Sequence, residues 1–405
     1  MELYYPLILD GATGTELQKL GFTGNTCTEA WVLEHPEAIC TLQSRYIEAG
    51  SRIVYAPTFG ANRIKLEESG IVGKTREYNI RLAKISLENA AGRALVAGDI
   101  APTGKFLAPM GDMSFEELYA VYLEQAAALE EAGVDLFVIE TTMTVPEARA
   151  AILAVKHASK KPVFVTFTCN EQGRTLTGTD VCAALVTLQS MGADAFGLNC
   201  SAGPEEMLIQ IRRLREYARV PLIVKPNAGM PDVVDGKAIY HCPPEEFVSH
   251  IPDFIAAGAA VFGGCCGTEP GHIAALKSAL TDFKMTPPAP AHGNMLLPTS
   301  EKRVFCLPPE TPCGMVLLCN SGLEEQLECY DPEESGLLTI EIKAEEELAF
   351  LAGSQYAIDF PLCIRCGDIA ILEKALRLFQ GRAIYDGPLE KDMLKPLQEK
   401  YGLIV

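Results

Sequence analysis

Short apolar runs recur about every 30 to 45 positions along the first 280 residues, separated by longer stretches of helical character. Eight such runs fall at 6–9, 52–55, 94–97, 136–139, 163–167, 195–198, 221–224 and 259–262. The segments between them predict helices over 36–49, 75–91, 114–132, 146–158, 181–191, 204–218, 244–257 and 269–280. Ser114 ahead of Glu116 and Glu117, and Pro204 ahead of Glu205 and Glu206, suit helix N-termini. Gly50, Gly133 and Gly192 stand where a left-handed residue stops a helix. Strand-helix alternation of this length predicts an α/β fold, a (β/α)8 barrel over residues 1–283. A doubly wound open sheet shares the alternation but does not bring the ends of the sixth and eighth strands together.

A change of character follows. Residues 284–300 are proline-rich and polar, as a linker is, and residues 301–405 predict a smaller α/β domain. Within it the pattern reads strand 357–364, helix 369–379, strand 382–385, helix 391–400 and a short strand 403–405.

Composition narrows the partners. With 405 residues and 48% hydrophobic content, the chain can bury one large core and have material for a second unit. A net charge of −19 without any basic run argues against nucleic acid and against an anionic membrane surface. No cationic leader and no apolar stretch of about 18 residues is present, so a soluble, cytoplasmic protein is expected. Fourteen irregularly spaced cysteines in a chain this long read as reduced thiols.

Barrel active sites gather at the C-terminal ends of the strands. Here those ends carry Asp10, Thr58, Asp99, Glu140, Thr168, Asn199 with Cys200, Asn227, and the vicinal pair Cys265-Cys266 behind Gly263-Gly264. Three thiolates select zinc or copper(I), and a set one short of four keeps a position open for substrate. That arrangement suits a sulfur-containing substrate. A strained vicinal disulfide, or three ordinary buried cysteines, are the other readings of the same residues. Asp10 and Glu140 in one cavity also admit the paired-carboxylate chemistry of glycosidases.

Taken together, Asp10 to Glu16 (DGATGTE), Pro57 to Asn62, Gly98 to Gly104, Glu140-Thr141, Leu176 to Thr179, Gly197 to Ser201, Pro226 to Gly229 and Gly263 to Thr268 resemble the homocysteine S-methyltransferase family. They are most similar to the homocysteine-binding module of cobalamin-dependent methionine synthases. The resemblance implies zinc on Cys200, Cys265 and Cys266, with the homocysteine thiol completing the tetrahedron. It implies that Asp10 and Glu140 hold the substrate ammonium and that backbone N–H groups of Gly11, Ala12, Gly14 and Thr15 meet its carboxylate. Asn199 is expected at the substrate, and Asn227 is a zinc ligand that substrate displaces or, alternatively, a turn residue. Trp31 is expected to cover the pocket or to be core, His272 to lie on the surface, His241-Cys242 to be weak ligand candidates, and Cys169 and Cys182 to pack.

Residues 357–405 weakly resemble the opening of the pterin-binding barrel that follows this module in methionine synthases. They carry Arg365-Cys366 and Tyr385-Asp386 at the strand ends instead of that barrel's polar residues. The lone C-x-x-C at Cys363 and Cys366 is a minor redox or zinc candidate. No Asp-x-His-x-x-Gly cobalamin signature is present. The resemblance therefore implies methyl transfer to L-homocysteine, with the methyl group from methylcobalamin on a corrinoid partner protein or from methyltetrahydrofolate on a pterin-binding one. S-methylmethionine or a betaine is the alternative donor. A non-catalytic thiol-amino-acid-binding module is the alternative function, and another thiol or selenol the alternative acceptor.

Overall fold

A computed structural model describes residues 3–405 except 25, 109, 235–236, 285–290 and 331–336. Among the described residues ten strands belong to the larger part: β1 Leu7–Ile8, β2 Ile53–Tyr55, β3 Leu95–Ile100, β4 Leu136–Thr142, β5 Val163–Phe167, β6 Ala195–Asn199, β7 Leu222–Lys225, β8 Asp232–Val234, β9 Lys237–Ile239 and β10 Ala259–Phe262. Eight of them form one parallel sheet in the order β1-β10-β7-β6-β5-β4-β3-β2, and β8 and β9 form a separate antiparallel hairpin after β7. The two ends of the eight-stranded sheet meet where the Arg52 N–H donates to the Ile8 carbonyl over 2.7 Å. The result is the expected α/β barrel.

Alternate residues of each strand face opposite ways, and the two faces bury separate cores. Leu7, Ile53, Ala97, Val138, Phe164, Ile223 and Val261 fill the inside of the barrel. Ile8, Val54, Val96, Phe137, Val165, Phe196 and Phe262 pack outward beneath the helices. Gly197 is required by this closeness, because a Cβ there would meet the Ile223 carbonyl oxygen at 1.9 Å.

Among the described residues twelve helices accompany these strands: α1 Gly14–Lys19, α2 Thr28–Glu34, α3 Pro36–Ala49, α4 Arg63–Glu68, α5 Thr75–Ala90, α6 Phe115–Ala132, α7 Val145–Ala158, α8 Val181–Ser190, α9 Pro204–Arg215, α10 Pro244–Ser249, α11 Ile251–Ala256 and α12 Pro270–Ala279. Ser114 caps α6 in a reciprocal capping box with Glu117. The single helix expected over 244–257 is two, because Pro252 lacks an N–H and its ring excludes the preceding turn.

The C-terminal part is a four-stranded parallel sheet in the order β11-β12-β13-β14, formed by Cys313–Leu318, Leu337–Ile342, Leu362–Cys366 and Ile384–Tyr385. The strand expected from 357 begins only at Leu362, after a 3-10 turn at Gln355–Ala357. Pro361, which cannot donate to a ladder, separates the two. Ile404 adds one bridge to Ile384 where a strand 403–405 was expected. Of the expected linker, 285–290 lie outside the described residues, while Thr299 is buried and bridges Arg382. Among the described residues no helix is long and apolar enough to cross a membrane.

Candidate metal centre

Strand parity sets up the site. Asp99, Glu140, Asn199 and Lys225 share the inward face of their strands with Ala97, Val138, Ala195 and Ile223, so their polar ends crown the barrel core. β6 then hands the chain to Cys200, whose φ of 54° is left-handed. β10 hands it to Gly264-Cys265-Cys266-Gly267, held by Cys265 N–H to the Pro226 carbonyl (2.8 Å) and Thr268 Oγ1 to the Cys265 carbonyl (2.7 Å). A Cβ at Gly264 would strike Thr268 at 2.3 Å, and Gly267 is left-handed with Tyr240 against it. Left-handed non-glycine residues cost free energy and collect at functional sites. Thr141 and Cys200 are two of the three such residues described.

These loops bring Cys200, Cys265 and Cys266 together with all three sulfurs within 4.8 Å of one another. The Cys200 and Cys266 Sγ atoms are 3.5 Å apart. Zinc–sulfur bonds of about 2.3 Å in a tetrahedron separate sulfurs by roughly 3.8 Å, so the triangle is close to the size a zinc ion needs. Hydrogen bonds from Cys200 and Cys265 bring the Cys266 thiol down to about 3. Cys265 is pushed well above the usual thiol range by its contacts with Cys200 and Cys266 and by burial. The three sulfurs thus hold protons between them by mutual hydrogen bonds, and a bound cation would favour their ionised forms. All fourteen cysteines are free of disulfides.

Two neighbours complete the sulfur environment. Asn199 binds Thr141 twice, accepting its N–H (2.9 Å) and donating to its Oγ1 (2.7 Å), and its Nδ2 lies 3.9 Å from Cys265 Sγ. Asn227 is buried, and among the described residues its Oδ1 has no hydrogen-bond partner.

The sulfurs form one wall of a cavity of about 260 Å³. Gly11, Ala12, Gly14 and Thr15 line another, with Glu29, Tyr55, Glu140 and Lys225 facing them. Ala12 N–H is already donated to Thr268 Oγ1 (3.1 Å) and Thr15 Oγ1 accepts from Gly267 N–H (3.3 Å), which ties this loop to the cysteine loop. Gly14 and Thr15 open α1, where N–H groups have no partner within the helix. Asp10 is buried at the edge, its Oδ2 accepting from Tyr55 N–H at 2.7 Å.

Lys225 was not anticipated. Its Nζ lies 3.5 Å from Asp10 Oδ1, 3.4 Å from Glu140 Oε2 and 3.7 Å from the centroid of the Tyr55 ring. Burial would lower its pKa, but Glu140, Tyr55 and Asp10 outweigh that and hold its ammonium well above the usual range. Only the inward parity with Ile223 signals it in the sequence.

Other candidates fall elsewhere. Thr58 Oγ1 donates to the Asp99 carbonyl, and Thr168 N–H to the Thr142 carbonyl. Trp31 stacks on His35 and is not among the cavity walls, although Thr28 and Glu29 of the same helix are. His272 is buried rather than superficial, its ring between Glu269 N–H and the Cys242 carbonyl. His241 pairs with Asp232 at the surface. Cys182 is buried, and Cys169 N–H donates to Ser201 Oγ. Cys363 faces Cys313 at 3.4 Å, whereas Cys366 Sγ turns to the Asp368 carbonyl, so the C-x-x-C thiols do not face each other.

The fold and the site are those of an α/β-barrel enzyme with a three-cysteine corner beside a carboxylate-lined cavity. Residues 7–280 match the homocysteine S-methyltransferase family, and the chain belongs to that family of methyltransferases. Methionine synthase of Mycobacterium leprae is 33% identical over 292 residues, 68% of this chain and 24% of that protein. Methionine synthase of Mycobacterium tuberculosis is 31% identical over 296 residues, 69% and 25% respectively. The chain thus spans about a quarter of the length of these relatives. Among solved structures, the metallated form of the Escherichia coli homocysteine methyltransferase MmuM is 26% identical with a TM-score of 0.58, covering 67% of this chain and 95% of its own. Its oxidized form gives 25% and 0.57.

Proposed function

We propose that this chain methylates the thiol of L-homocysteine, giving methionine, with a zinc ion on Cys200, Cys265 and Cys266. The single observation that carries this reading is the sulfur triangle, all within 4.8 Å and opening into the cavity. The buried Asn227 Oδ1, an acceptor with no donor among the described residues, supports a cation nearby. Zinc would supply a fourth position at which a thiol of ordinary pKa about 8.5 loses its proton at neutral pH.

The protein's own residues do the rest. Glu140 receives the substrate ammonium beside the Asp10–Lys225 pair, and the opening turn of α1 at Gly14 and Thr15 presents N–H groups to the carboxylate. Asn199 fixes Thr141 and steadies Cys265. The substrate sulfur attacks the methyl carbon in line, and the carbon–donor bond breaks with its electron pair left on the donor. No proton is needed by the leaving group, so the carboxylates serve binding rather than acid catalysis. The likeness to methionine synthases supports a corrinoid-bearing partner as methyl donor.

Zinc analysis of the full chain tests the reading. About one zinc per chain, lost in Cys265→Ala, with proton release when homocysteine is added, is the expected result. Free methylcobalamin should then support slow methionine formation. A reduced protein that holds no zinc, or that turns over equally well without it, overturns the proposal.

A further inference from the structure

The cavity contains a cation that zinc and thiol chemistry do not use. Lys225 is almost fully enclosed, its side chain 4% exposed, with that of Asp10 at 3% and that of Glu140 at 11%. Enclosing a lysine this deeply is costly unless it is paired, and here it is paired twice, with the Tyr55 ring as a third contact.

The two carboxylates are not equivalent. Asp10 has both oxygens engaged, Oδ1 by Lys225 and Oδ2 by the Tyr55 N–H. Glu140 lines the cavity, and among the described residues only Lys225 bonds its carboxylate. Two carboxyl groups thus share the single ammonium of Lys225, and of the two only Glu140 opens onto the cavity. Were Lys225 absent, two like charges in a dry pocket would drive a proton onto one of them. Glu140 would then lose the contact that aims it.

We propose that Lys225 is the positioning residue for the ammonium group of the amino-acid substrate: by neutralising Asp10 and tethering Glu140, it sets the pocket to accept one further cation. This rests on the homocysteine reading. The substrate amine meets Glu140 from the cavity side and does not displace Lys225 from between the carboxylates.

Calorimetric binding of L-homocysteine and of 4-mercaptobutyrate, the same thiol without the amine, to zinc-loaded protein tests it. A hydrogen bond to a charged group is worth enough that wild type should prefer homocysteine by about 30-fold. Lys225→Met should bind the amine-free thiol within about threefold of wild type but retain almost no preference for homocysteine. Lys225→Arg, which keeps the charge and stands in should the methionine variant fail to fold, should keep most of the preference. An unchanged preference in Lys225→Met, an equal loss of both thiols at full zinc content, or an arginine variant without preference overturns the role of Lys225. If neither thiol binds zinc-loaded wild type, the homocysteine reading fails and this inference with it.

Discussion

Asp99 lines the same cavity as Glu140 and is buried, and among the described residues its Oδ1 has no hydrogen-bond partner. Burial first, and the adjacent Glu140 charge second, push its carboxyl well above the usual range. A carboxyl with a raised pKa holds its proton more tightly in the folded than in the unfolded chain. The stability it contributes is therefore complete below the unfolded value of about 3.9 and is lost as pH rises through the folded one. Asp99→Asn cannot ionise. Its stability relative to wild type should climb with pH by up to about 1.4 kcal/mol per unit until the folded pKa is passed. Urea unfolding at pH 5, 6, 7 and 8 measures this, and a difference independent of pH would refute it. Legibility at this scale was uneven for a physical reason. A vicinal cysteine pair after two glycines is rare enough to stand out, and Asp10 and Glu140 end apolar runs. Lys225 also ends one, but before Pro226 it reads as the point where a strand reaches water, and only its register with Ile223 turns it inward.

Helix boundaries in the barrel were largely legible, because Ser114, Pro204 and the terminal glycines act within one turn of the backbone they cap. β11 and β12 were not, since their order comes from parallel pairing with each other and with β13, contacts that no local pattern encodes. One helix end depends on such a distant partner. Arg149, fully buried in α7, donates to the Leu376 carbonyl (2.6 Å), the Arg377 carbonyl (3.3 Å) and Gln380 Oε1 (2.9 Å), at the end of the helix Ile369–Leu378. Terminal carbonyls lack partners in their own helix, and the helix dipole favours a cation there. Burial lowers the guanidinium pKa only to about 10, so it stays charged. Arg149→Met should cost about 2–3 kcal/mol in denaturant unfolding, by leaving buried carbonyls unpaired. It should also speed proteolysis within 301–405. A loss below about 0.5 kcal/mol would place the capping elsewhere.

At the scale of the molecule, we propose the division 1–283, 284–300 and 301–405 as a barrel, a connecting segment and a second unit, with the two units sharing one core. Residues of α7 and α8 belong to the same apolar cluster as Leu376, Phe379 and Leu394. Thr187 of α8 meets Thr299 at 2.7 Å, and Arg377 pairs with Glu116 of α6 at 2.7 Å while lying over the rings of Phe115 and Tyr119. Every residue of α7 from Val145 to Val155 is buried, more than the one stripe that a barrel helix hides against its own strands. Something must cover the remaining face, and the C-terminal unit does. A chain ending at residue 283 would therefore expose that face of α7 as a contiguous apolar patch, the kind that drives association. It should elute as aggregate on size-exclusion chromatography and bind a hydrophobic dye, whereas the full chain should do neither. Cooperativity gives the second half of the test. With one continuous core, thermal unfolding of the full chain should be a single transition by both near-UV and far-UV circular dichroism. Two transitions, together with a soluble, zinc-binding fragment 1–283, would mean that the barrel folds alone and that the C-terminal unit is an attachment.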